Sequence, residues 1–408
     1  MKPIVYLSKS EIDSFASSGI SECFGYCYEW EGEGVMHVHL APLRHAFGLC
    51  TKIHFIKFNQ LPAAINEPIV ALFPDEEVKA FINWGHEVVE AEVIFIPKYD
   101  ELYSRSKGIL EVSALKNNKI VIIGLGSFGS QISIELAKAG IENFSLFDFD
   151  RVELHNLARH TCFLNDLGRL KTDAIRDAIL GKNPYAKVAT FPINILEARD
   201  ILESELSNSD LVICGTDNNQ SRFLLSELLV KHKKTCIFGR AITRAEGGDV
   251  FIYRPGGPCY NCLIRSGTIN TQEEEITNRS QLAAYVSEDE ANAIIQVGLS
   301  SDIEPICNLM VKLALVELSI GKETGIESLS EELTYSYYMW ANRRERRHSM
   351  FLPFNNAGGK PTILRWYGAK ISKMENCPIC GSGQIVLDEG EDIEISQTDL
   401  SDINLETV

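Results

Sequence analysis

The chain lacks any apolar run near the ~18 residues that a membrane-spanning helix needs. Its first ten residues, MKPIVYLSKS, lack the apolar stretch and small-residue cleavage site of a secretory signal. A cytoplasmic protein with no membrane partner is the expectation. Positive charge is also scarce. With 39 Lys and Arg against 56 Asp and Glu, the formal net charge is −17, which argues against a nucleic-acid backbone as partner. Between Asp388 and Val408 there is no Lys or Arg at all, and eight acids stand there. Such a segment cannot bury a core, so 386–408 is predicted to be a disordered acidic tail.

What is present is ordinary for a soluble globular protein: 45% hydrophobic and 23% charged residues in 408. Residues 1–100 alternate apolar and polar at Val35–Leu40, Ile53–Phe58 and Ala91–Ile96, which predicts strands, and Glu76–Val89 is predicted to be a helix. This segment reads as a small α/β domain of unassigned role. From about residue 119 strands and helices alternate. Strands are expected at Lys119–Ile123, Phe144–Asp148, Lys187–Ile193, Asp210–Cys214, Cys236–Gly239 and Asp249–Tyr253. Helices are expected at Gln131–Ala139, Leu170–Leu180, Ser221–His232 and Pro305–Ile320. That order predicts a Rossmann-like, mainly parallel sheet with helices on both faces and an antiparallel section over Leu333–Ala369. Ser266–Val297 is polar and acid-rich and reads as a long crossing loop.

The strongest motif is VIIGLGSFG, Val121 to Gly129, an apolar strand running into Gly124, Gly126 and Gly129. A second strand ends on Asp148, 24 residues after the first glycine. Glycines permit a tight turn and close phosphate approach, and the acid suits ribose hydroxyls. Asn156 and Arg159 follow one turn apart, Lys171 stands after a Gly168 turn at a helix start, and Asp217 ends another strand. One acid for ribose, two cations for phosphate and a second acid for Mg²⁺ suit adenylation rather than hydride transfer.

This ordered set resembles the E1-like (ThiF/MoeB-type) adenylating superfamily over roughly 103–320. Within it, the stretches 105–111, 126–130 and 156–160 look most like E1 proteins of bacterial ubiquitin-like conjugation operons that act against phage. The resemblance implies that Asp148 binds ribose, Asn156, Arg159 and Lys171 bind the ATP phosphates, and Asp217 takes Mg²⁺. It further implies a homodimer in which Arg105 reaches the neighbouring subunit's ATP.

Eleven cysteines in a cytoplasmic chain do not argue for disulfides. Cys259/Cys262 and Cys377/Cys380 form two C-x-x-C pairs, the pattern of a closed, structural Cys₄ Zn²⁺ site. The adenylation domain is therefore placed at 101–385. No cysteine lies between Ser266 and Glu304, where many E1-type enzymes carry a nucleophile, and Cys307 reads as a packed thiol at the start of a buried helix. His37, His39 and His45 read as ordinary histidines, Arg343–Arg347 as a solvated basic cluster, and the tail as solubilising.

Three functions follow. The first is adenylation of a ubiquitin-like protein's C-terminal carboxylate with Mg-ATP, releasing pyrophosphate, for transfer to an E2-like partner. The second is the same chemistry on a sulfur carrier or short peptide without an enzyme thioester. The third is a non-catalytic scaffold, against which the intact residue set counts.

Overall fold

The computed structural model describes residues 2–30, 33–42, 49–60, 64–96, 102–242, 245–266, 298–342 and 363–381. The expected crossing loop, the Arg343–Arg347 cluster, His45 and the acidic tail lie outside the described residues.

The N-terminal segment is richer in β-structure than its sequence suggests. It comprises β1 (Ile4–Ser8), α1 (Lys9–Ser17), β2 (Glu22–Trp30), β3 (Val35–His39), β4 (Leu49–Lys57), β5 (Ile69–Leu72), β6 (Val78–Trp84), β7 (Glu87–Glu90) and β8 (Glu92–Ile96). These strands form one mixed sheet in the order β7-β6-β5-β4-β2-β3-β1-β8. Ile12 and Phe15 of α1 bury against a core that includes Val5, Leu7 and Phe55. The helix expected over Glu76–Val89 is instead the hairpin β6–β7. Ala80 and Ile82 are buried at a period of two, and Gly85, at φ +67°, permits the tight reversal that pairs Trp84 with Glu87. His37 stacks on Tyr6 at 5.0 Å, and Glu11 Oε2 lies 3.1 Å from His39 Nδ1. Each of these histidines therefore has a partner of its own.

The second unit builds outward from β9 (Lys119–Ile123), followed by α2 (Ser127–Lys138), β10 (Asn143–Phe147), α3 (Lys171–Leu180), β11 (Lys187–Phe191) and α4 (Arg199–Ser207). Next come β12 (Leu211–Cys214), α5 (Asn219–His232), β13 (Cys236–Ala241), β14 (Gly247–Tyr253), α6 (Tyr260–Arg265), α7 (Ser300–Ser319), β15 (Tyr337–Ala341) and β16 (Arg365–Ala369). The sheet order is β11-β10-β9-β12-β13-β14-β15-β16, parallel through β13 and antiparallel beyond. Both faces are covered. Ile120 and Ile122 pack with α2, α3 and α7, while Val121 and Ile123 pack with α4, α5 and α6. This double burial is why the strand reads as an unbroken apolar run. Chain order reverses at β9, so the crevice at the carboxyl ends of β9 and β12 is where an open sheet of this kind takes its ligand.

At the step to antiparallel pairing, Arg240 of β13 faces Asp249 of β14. Their side chains are 11% and 5% exposed, with Arg240 Nη2 2.7 Å from Asp249 Oδ2, and the Tyr337 hydroxyl lies 3.4 Å from that same oxygen. Removing one charge strands the other in the interior. Asp249→Ala is expected to lower stability by about 3–5 kcal/mol in urea unfolding, whereas Arg240→Met with Asp249→Leu should lose far less.

Candidate nucleotide cradle and four-cysteine cluster

The three glycines of the β9–α2 turn have three separate reasons to be glycine. Gly124 sits at φ +83°, and a Cβ there would lie 2.9 Å from Thr216 N, so the β9 and β12 turns touch. At Gly129 a Cβ would fall 1.9 Å from Gly124 O, so only glycine lets α2 seat this close to the strand. Gly126 differs: its Cβ direction is open, and the one neighbour within 4 Å is His160 Nε2 at 3.9 Å. Among the described residues nothing else crowds that position. A bare backbone facing an open slot at a helix N-terminus fits an anionic ligand.

Asp148 closes the turn from the next strand. Its Oδ2 accepts from Leu125 N at 2.7 Å and its Oδ1 from Asp150 N at 2.8 Å. Burial raises its pKa, opposed by the Lys171 charge and these two amides. The carboxylate thus braces the glycine turn as well as standing where ribose would. Lys171, the first residue of α3, is only 9% exposed in its side chain and reaches Asp150 Oδ2 at 2.7 Å. Arg159 Nη1 donates to Ser127 Oγ at 3.3 Å, and burial lowers its pKa. Asn156 turns inward: it is buried, and its Oδ1 accepts from Glu153 N at 2.9 Å to cap its own short helical turn. Next to Arg159 and Lys171 in sequence stand buried polar atoms without partners among the described residues, His160 Nδ1, Thr161 Oγ1 and Thr172 Oγ1. Cations, unmatched polar atoms and an open backbone slot together suit a polyphosphate.

Asp217 is exposed on the turn after β12. That turn is held by Arg222, buried in α5, whose Nη2 donates to Thr216 O at 2.6 Å, and by Asn218, which caps α5 through Ser221 N at 2.9 Å. A lone carboxylate holds Mg²⁺ only when phosphates supply further oxygens, which the adjoining slot would do. Arg105 lies in the stretch that precedes β9. Its segment runs along the opposite edge of the sheet, where Gly325 packs on the Gly108 and Ile109 carbonyls and Lys322 Nζ donates to Asn118 Oδ1 at 2.6 Å.

Two residues that line or brace the cradle carry no motif signal of their own: His160 and Arg222. Arg222 is one of several polar residues on a helix and becomes visible only when its reach back to Thr216 is seen. His160 sits beside Arg159 and becomes visible only through Gly126.

The four cysteines converge as expected. Cys259 caps α6, Cys262 lies within it, and Cys377 and Cys380 approach from the chain after β16. Their sulfurs lie within 4.8 Å of one another, with Cys259–Cys377 at 3.5 Å, Cys262–Cys380 at 3.4 Å and Cys259–Cys262 at 4.0 Å. Tetrahedral Zn–S bonds of about 2.3 Å require sulfurs about 3.8 Å apart, within this spread. Burial pushes the Cys259 and Cys380 thiols up, Cys380 to about 11. At Cys377 burial is outweighed by the Asn261 amide and backbone N–H groups, and the thiol comes down to about 6. Four thiols this close suit a thiophilic cation, and Zn²⁺ would supply structural cross-linking there.

A family model described as the ThiF family matches residues 102–336. The chain belongs to the ThiF family. Among curated relatives, the molybdopterin-synthase adenylyltransferase of Escherichia coli K12 is 40% identical over 154 residues, which is 37% of this chain and 61% of that protein. The adenylyltransferase and sulfurtransferase MOCS3 of Drosophila virilis is 33% identical over 167 residues, 40% of this chain and 35% of that protein. The chain therefore spans between about a third and three fifths of the length of these relatives. A crystal structure of E. coli MccB with ATP covers 66% of this chain and 68% of its own at 19% identity and a TM-score of 0.48, too loose a likeness to transfer function.

The protein is expected to contain one zinc per chain by elemental analysis. Cys259→Ser or strong chelation should remove it and lower the melting temperature. A metal-free protein with an unchanged melting curve would refute the assignment.

Proposed function

We propose that this ThiF-family chain is a Mg-ATP-dependent adenylating enzyme of the cytoplasm that activates the C-terminal carboxylate of a small ubiquitin-like protein. The open slot at Gly126, faced by Arg159 and Lys171 and abutted by the Asp217 turn, carries this reading. The carboxylate oxygen attacks the α-phosphorus, the α–β bridging P–O bond breaks, and pyrophosphate leaves with that bond's electrons. In this scheme Asp148 orients ribose, while Asn156, Arg159 and Lys171 hold the phosphates as charge builds on them. Asp217 would hold Mg²⁺, which neutralises the departing pyrophosphate. In the antiphage-type reading the activated carboxylate then passes to an E2-like partner.

One observation favours a second reading, in which a sulfur carrier or short peptide is activated and no enzyme thioester forms. Cys307 is 2% exposed in α7, and burial pushes its thiol up to about 12. A nucleophilic thiol needs the opposite surroundings. The product would then be the acyl adenylate itself.

The same reading includes a homodimer. Phe149, Leu154, Phe163 and Leu164 are each more than half exposed beside the cradle, an apolar grouping that suits a second copy. Arg105 would serve the partner's cradle.

ATP–pyrophosphate exchange driven by ubiquitin-like proteins ending in glycine, or by short peptides, tests the chemistry. Lys171→Ala or Asp217→Ala should lower it by roughly 10²–10³-fold; exchange unchanged by both would remove these residues from the chemistry, and wild-type protein that neither exchanges nor binds ATP would favour a scaffold. The dimer makes a separate prediction. Arg105→Ala and Lys171→Ala proteins, each inactive, should recover about a quarter of wild-type exchange when reassembled in equal amounts, because half the dimers then hold one complete site. No recovery would place Arg105 outside the site.

A further inference from the structure

Among the described residues, the side-chain atom nearest the open Cβ direction of Gly126 belongs to His160 and not to a cation. His160 Nε2 stands 3.9 Å from the point where a Gly126 Cβ would be, while its other ring nitrogen, Nδ1, is buried without a hydrogen-bond partner. A neutral imidazole carries one N–H and one lone pair. A proton on Nδ1 would bury an unmatched donor, a costlier defect than an unmatched lone pair. The proton therefore belongs on Nε2, directed at the slot.

We propose that His160 is a nucleotide-binding residue that donates its Nε2–H to a phosphate oxygen lying over Gly126, as an uncharged ligand of the polyphosphate beside Arg159 and Lys171. This rests on the adenylation reading and extends its phosphate site by one residue.

The charges around the ring keep it neutral. Burial, then the positive Lys171 and Arg159, then His155, all oppose a second proton, and only Asp150 favours it, so the pKa falls to about 3. A phosphate held only by cations gains strength from charge but little direction. A fixed single N–H opposite a bare glycine backbone adds direction, fixing where one phosphate oxygen sits between the ring and the turn. A donor that stays uncharged would work equally at pH 6 and pH 9, unlike a histidine that acts as a cation.

The test is binding of an α,β-methylene ATP analogue by calorimetry, with protein folding checked by melting temperature. His160→Phe keeps ring volume and removes the donor, and should weaken binding about 10- to 100-fold. His160→Gln, which can place an amide N–H near the Nε2 position, should recover most of that loss. The wild-type advantage over His160→Phe should be constant from pH 6 to pH 9. Equal binding by His160→Phe and wild type would overturn the proposal while leaving the adenylation reading intact. A wild-type advantage that vanishes above pH 7 would also overturn it, replacing the neutral donor by a cationic one. If wild-type protein binds no nucleotide, both readings fall.

Discussion

The contact on which the functional half of the molecule depends is that between two backbone turns, one leaving β9 and the other leaving β12. Gly124 and Gly215 meet with no side chain between them, and Gly129 brings α2 down onto the same point. Everything that could hold a ligand is positioned from there. The N-terminus of α2 opens at Gly126, Asp148 ties the first turn from β10, and Arg222 ties the second from α5. A methyl group at Gly129 would push α2 away from the strand and shift the slot at the same time. Stability and ligand geometry share one set of atoms here.

The ThiF-family unit was legible because its signals are local. A doubly buried parallel strand shows as a continuous apolar run, and a nucleotide turn shows as glycines at fixed offsets. The cysteine pairs announced themselves by spacing, and their convergence followed. α4 escaped notice because only Leu202 and Leu206 of its nine residues are buried, too few to show a period. In the N-terminal segment a helix was expected over Glu76–Val89, but the β-period of Ala80 and Ile82 and the turn at Gly85 decided the outcome. The order of that eight-stranded sheet is set by long-range pairings, such as β1 between β3 and β8, that no window of sequence contains.

The site itself divides in the same way. Residues that carry a charge at a motif position could be named from the chain. Those that work through a neighbour could not. Asn156 illustrates the difference: the motif offers it as a phosphate ligand, and its carbonyl oxygen is committed to Glu153 N, which shapes the turn presenting Arg159. Asp150, two residues after Asp148, is the carboxylate on Lys171. Its 2.7 Å contact fixes where the nearly buried Lys171 Nζ stands.

The four-cysteine cluster joins α6 to chain that lies 118 residues further on. At ribosomal rates of about 5–20 residues per second, that separation corresponds to roughly 6–24 s of synthesis. Throughout that interval Cys259 and Cys262 exist as half a site, two thiols that cannot close a tetrahedron. The antiparallel strands β15 and β16 are made within the same interval, so the sheet can be complete before its last fastening is available. The cluster can thus act as a clasp on strands already made, since it cannot close before they are.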